Sequence, residues 1–84
     1  MPYEIRITRQ ARKDIEMLLP KLKNKLRDLL IHVISRNPYE GKKLLGDLAG
    51  SYSYRLSLKD RVIYSIDEGK KTVYLERART HYGD

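Results

Sequence analysis

The chain has 84 residues and no cysteine, so a single small domain without disulfides is expected, burying roughly 60–65% of the surface its unfolded form exposes. Its 18 Lys+Arg against 11 Asp+Glu leave a formal net charge of +7, which points to a polyanionic partner: nucleic acid, anionic lipid or an acidic protein. The longest apolar runs, Met17-Leu18-Leu19 and Leu29-Leu30-Ile31, fall far short of the roughly 20 residues a bilayer span needs, and Met1-Pro2-Tyr3-Glu4 lacks the pattern of a signal peptide, so a cytoplasmic protein with no membrane partner is expected.

Tyr3-Glu4-Ile5-Arg6-Ile7-Thr8 alternates apolar and polar residues and predicts a strand facing inward with Tyr3, Ile5 and Ile7. Thr8 is placed to cap a helix over Arg9 to Leu19, whose apolar residues Ala11, Ile15, Leu18 and Leu19 form one stripe. Pro20 marks the turn into a second helix, about Lys21 to Arg36, with Leu22, Leu26, Leu29, Leu30, Val33 and Ile34 at helical spacing; Asn37-Pro38 ends it. Tyr39 to Ser51, with three glycines, reads as a loop whose Leu44, Leu45 and Leu48 tuck under the core. Three strands follow, Tyr52 to Leu58, Arg61 to Ile66 and Thr72 to Arg77, separated by turns at Lys59-Asp60 and Asp67-Glu68-Gly69-Lys70. The order β-α-α-β-β-β predicts an α+β domain of two layers: an antiparallel sheet covered on one face by a helical hairpin, the other face open.

Charge is concentrated where chemistry would be. Residues 21–43 hold seven cations against Asp28 and Glu40, and the tail Arg77-Ala78-Arg79-Thr80-His81-Tyr82 combines arginine forks, an imidazole and a phenol. If Tyr52, Tyr54, Leu56 and Leu58 face the helices, Arg55 points to the open side, and a register in which odd residues oppose odd residues puts Arg61 beside it. Arg79 and His81 share that parity while the chain stays extended. Such a set meets the needs of RNA cleavage by an internal 2′-hydroxyl: arginines for the charge that builds on phosphorus, histidine to protonate the departing 5′-oxygen. No metal or cofactor is implied, since neither His32 nor His81 lies at metal-ligand spacing from other donors. His32 lies off the apolar stripe and reads as surface. Tyr52, Tyr54 and Tyr64 read as core. Met17 and Ile31 lie off their helices' stripes and offer an apolar surface to a partner.

Four segments in order, Asn37-Pro38-Tyr39-Glu40-Gly41-Lys42, Leu48-Ala49-Gly50-Ser51-Tyr52-Ser53-Tyr54-Arg55-Leu56, Asp60-Arg61-Val62-Ile63-Tyr64 and His81-Tyr82, resemble the RelE/ParE superfamily of bacterial toxin-antitoxin ribonucleases, within it the YoeB/Txe branch. The resemblance implies a toxin that cuts mRNA in the ribosomal A site and is neutralised by a cognate antitoxin in a toxin-antitoxin hetero-oligomer. It carries the scissile-phosphate arginine onto Arg61, a second arginine onto Arg55, the general acid onto His81 and the following tyrosine onto Tyr82; Arg79, by its shared parity, and Lys43, adjoining Lys42, are expected as further substrate contacts. YoeB-like members place a glutamate base where a straight alignment here puts Lys42, so the base is Lys42, Lys43, Glu40 or Asp47. Gly83-Asp84 extends past the tyrosine that ends YoeB-like chains.

Overall fold

The computed structural model describes residues 2–80. Strand β1 (Glu4–Ile7) leads into helix α1 (Arg9–Glu16) through Thr8, whose Oγ1 accepts from the Ala11 amide at 3.1 Å. Both ends of the helix–helix link are built locally. Met17 closes α1, and Leu19-Pro20 opens α2 (Pro20–Leu29) with proline at the first position, where its missing N–H costs nothing. The first helix is therefore shorter than its apolar pattern suggests, and Leu19 is exposed rather than part of the stripe. The second continues through a wider π turn, Leu30–Ile34, in which the Ser35 amide reaches back to Leu30 O at 2.9 Å and Ser35 Oγ donates to Ile31 O at 2.7 Å. Most of its stripe is as the spacing predicts: Leu26, Leu30 and Ile34 are buried, and Leu22 and Leu29 pack against the core, whereas Val33 is only half-buried at its margin.

After short 3₁₀ turns at Pro38–Glu40 and Gly46–Leu48 flanking β2 (Lys42–Lys43), the chain runs through β3 (Ser51–Arg55), β4 (Asp60–Asp67) and β5 (Thr72–Thr80). The sheet order is β1-β5-β4-β3-β2. The meander pairs are antiparallel, but β1 lies parallel to β5, so the sheet is mixed rather than wholly antiparallel. The helices carry the chain from β1 to β2 at the opposite edge of the sheet, so β1 meets β5 only when the meander returns and no hairpin turn joins the two.

Val62, Tyr64, Val73, Leu75 and Leu56 meet the buried helix stripe, with α1 packed on β5. Several side chains expected inside are outside. Leu58 is 88% exposed because β3 ends at Arg55 and the chain turns over residues 56–59; Leu45 is 84% exposed, Leu48 is exposed, and Ile7 at the end of β1 is only partly covered. Met17 (86% exposed) and Ile31 (50%) are uncovered, as their positions off the stripes predict.

One ion pair ties α1 to the sheet. Arg77 Nε donates to Asp14 Oδ2 at 2.8 Å, and the Ala78 amide donates to the same oxygen at 3.1 Å. Burial pushes the Asp14 carboxyl up, but hydrogen bonds from Arg77, Ala78 and Gln10 outweigh it and leave the group below its ordinary 3.8. A carboxyl lowered in the folded state contributes stability that is present above its unfolded value and lost as pH falls through the folded one. Asp14→Asn should therefore melt below the wild type at pH 7, with the gap closing below about pH 4 in a melting series.

Candidate functional site

The register settles the parity question. Arg55 lies directly opposite Arg61, and Arg61 directly opposite Arg79, so three arginine positions form one row across β3, β4 and β5. Directly opposed residues share a face. The start of β4, where Arg61 sits, is fixed by its own turn: Ser57 Oγ donates to Asp60 Oδ2 at 2.6 Å, and the Leu56 and Ser57 amides donate to Asp60 O at 2.8 and 3.1 Å. Asp60 is buried there, so Arg61 enters the sheet from a closed turn.

Lys42 lies opposite Ser53, two residues before Arg55 on the same strand, and thus belongs to the same face. Lys43 lies opposite Tyr52 and belongs to the other face. Where β2 stops short of β3, a cleft of about 440 Å³ opens, lined by Glu40, Gly41, Lys42, Ser53, Tyr54, Arg55 and Arg61. Of the four residues proposed as base, Glu40 and Lys42 line this cleft, whereas Lys43 and Asp47 do not. His81 and Tyr82 lie outside the described residues.

The cleft's electrostatics are unbalanced. Lys42, Arg55 and Arg61 line it with one carboxylate, Glu40, and none of the three cations makes an ion pair among the described residues. Like charges held opposite one another in a sheet destabilise it, by roughly 0.2–1 kcal/mol per pair. The nearby Arg77 is different, because its guanidinium is committed to Asp14. Its position in the tail suggested phosphate; its bonds make it structural.

Sequence reasoning proposed Arg55, Arg61 and Lys42, which the structure brings to one cleft, but read Tyr39 to Ser51 as a loop, missing that Glu40-Gly41-Lys42 forms one wall of that cleft. The available signal was Tyr64: a buried phenol needs a partner, and its hydroxyl donates to Pro38 O at 2.6 Å. Ser53, also absent from the expected site, is buried within the lining.

Fold and cleft together define a class of small two-layer α+β domain with a cation-rich cleft at the sheet face away from its helices. Residues 5–83 match the family model described as ParE-like toxin of type II bacterial toxin-antitoxin system. The chain is 36% identical over 78 residues to Toxin RelG of Mycobacterium tuberculosis, an alignment covering 92% of this chain and 88% of that protein. Among solved structures it resembles the RelBE2 toxin-antitoxin complex from Mycobacterium tuberculosis, with 33% identity, a TM-score of 0.88 and coverage of 95% of this chain and 99% of the other. It also resembles the heterotetrameric YoeB-YefM toxin-antitoxin complex from Staphylococcus aureus, at 26% identity and a TM-score of 0.77, covering 98% of this chain and all of that one. The chain belongs to the ParE-like toxin family of type II toxin-antitoxin systems.

Proposed function

We propose that this toxin is a ribosome-dependent mRNA endoribonuclease that cleaves by 2′-hydroxyl attack without a metal. The observation that carries the reading is the cross-strand row Arg55–Arg61–Arg79, with Lys42 on the same sheet face as Arg55 and Arg61 and lining the same cleft. Like charges at opposed positions in a sheet weaken the fold, and a phosphodiester seated among them removes the repulsion. Arg61 and Arg55 hold the scissile phosphate and stabilise the charge that develops on its oxygens as the 2′-oxygen attacks. Lys42 closes the cationic ring from β2. Glu40 takes the 2′-hydroxyl proton, because a carboxylate accepts a proton at neutral pH whereas an ammonium must first lose one. His81 protonates the departing 5′-oxygen, Tyr82 contacts the substrate base, and Arg79 adds a phosphate contact at the end of the row; Lys43, on the other face of the sheet, lies outside the cleft.

The resemblance of the arginine positions and His81-Tyr82 to ribonuclease members supports cleavage over a ParE-like block of a protein target such as gyrase. Glu40→Gln should lower the single-turnover cleavage rate at least about tenfold at pH 7 with little change in RNA affinity. If it cuts at the wild-type rate while Lys42→Ala does not, the proton goes to Lys42 instead.

The toxin-antitoxin complexes among its relatives support a cognate antitoxin as partner, with the uncovered Met17 and Ile31 and the basic surface as its landing sites. Co-purification with the product of the adjacent reading frame tests this, and a chain that stays alone contradicts it.

A further inference from the structure

The wall of the cleft that carries Glu40 and Lys42 is anchored from beneath. The fully buried Tyr64 donates its hydroxyl to Pro38 O at 2.6 Å. A methyl group at Gly41 would stand 2.2 Å from the Tyr64 hydroxyl oxygen and 2.9 Å from Ser53 O. The Gly41 backbone, at φ −70° and ψ 169°, suits any residue, so what excludes a side chain there is the phenol itself. Tyr52 stacks on Tyr64 with centroids 5.8 Å apart, and Tyr39 meets Tyr52 edge-on at the same separation. At the outer end, Glu68 Oε1 accepts from Tyr39 at 2.5 Å and Tyr3 at 2.7 Å, while Lys71 pairs with its other oxygen. Those three bonds, Lys71's foremost, hold the Glu68 carboxyl down at about 2.

The anchored residues flank the two charged ones along the segment. Pro38, Tyr39 and Gly41 are tied down; Glu40 and Lys42 line the cleft. A phenylalanine would fill the Tyr64 site as well, and burying a hydroxyl costs free energy unless it is bonded. Among the described residues the Tyr64 hydroxyl makes its hydrogen bond to Pro38 O alone. Burial pushes this phenol up to about 12, the Gly41 contact offsetting part of the rise, so it remains a donor at every physiological pH.

We propose that Tyr64 is a positioning residue, which through Pro38 and Gly41 sets where Glu40 and Lys42 stand relative to Arg61 and so controls turnover without touching RNA. This rests on the nuclease reading above. The test is Tyr64→Phe, which keeps the ring and its packing. The expected result is a fall in kcat of at least about tenfold with KM changed less than about threefold, the circular dichroism spectrum being unaltered. In a Glu40→Gln/Lys42→Ala background the same substitution should cost less than about twofold, because the side chains it positions are gone. An equal loss in both backgrounds, or no loss in either, overturns the proposal.

Hydrogen exchange separates its failure from that of the nuclease reading. If the wild type cuts no RNA, the nuclease reading fails, and exchange alone decides the positioning claim. Tyr64→Phe should speed exchange of the Gly41 and Lys42 amides at least about tenfold while the Val62 and Val73 amides keep their protection. Unchanged exchange across residues 38–42 would mean that the phenol does not hold the segment.

Discussion

Arg61→Ala is expected to lose at least tenfold of the RNA cleavage rate, about 1.4 kcal/mol of transition-state stabilisation or more, while melting no lower than the wild type. The two halves of this expectation come from one feature. Arg61 is flanked in register by Arg55 on one side and Arg79 on the other, so removing it takes out the middle of a like-charge row. The folded state then gains a few tenths of a kcal/mol from relieved repulsion, and the half-buried stem of the side chain gives some of that back. On the nuclease reading proposed above, the transition state loses a fork for the developing phosphorane charge. Arg61→Lys should fall between the two, since it restores charge without planar bidentate geometry. Single-turnover rates and melting curves on the same preparations check the pair of claims. A strongly destabilised Arg61→Ala chain would show that the row is structural.

Tyr64→Ala should cost about 3–5 kcal/mol, the range for emptying a large aromatic site in a core. At roughly 0.05–0.15 kcal/mol per residue, a domain of this size holds about 4–13 kcal/mol in all, so the variant stands near the edge of folding. The fully buried ring stacks on Tyr52, packs among Val62, Leu75 and Ile34, and holds the Pro38 carbonyl, which would be left without its donor. A drop in melting temperature on the order of 15–30 °C is expected by calorimetry. Tyr64→Phe, which leaves only the Pro38 carbonyl unsatisfied, should cost about 1–2 kcal/mol. A Tyr64→Ala chain that melts within about 5 °C of the wild type would place the ring outside the core.

Much of the frame was legible because its elements carry their own periods. The stripe of α2 runs over more than three turns, and two-residue alternation along β3 and β4 was enough to set Arg55 and Arg61 on one face once odd opposed odd. The same logic placed Arg79 in the row. What stayed hidden has no period. β2 contains two residues, too few to alternate, so its pairing with β3, which separates Lys42 from Lys43, depends on tertiary contact. The direction of β1 depends on the path through the helices rather than on its own residues. Leu58 continues the alternation of β3 but falls in the turn that Ser57 and Asp60 close, so its pattern was obeyed by sequence and not by structure. Gly41 resembled ordinary loop punctuation; its reason, the Tyr64 hydroxyl, is 23 residues further along the chain and visible only in three dimensions.

The central claim is that the arginine row works on ribosome-bound mRNA. Primer extension on mRNA from programmed ribosomes incubated with the toxin should show scission within the A-site codon, and the same mRNA free in solution should remain intact. Uncut mRNA on the ribosome, with a purified gyrase supercoiling reaction blocked at the same toxin concentration, would contradict the nuclease account and assign this chain to the non-cleaving members of its family.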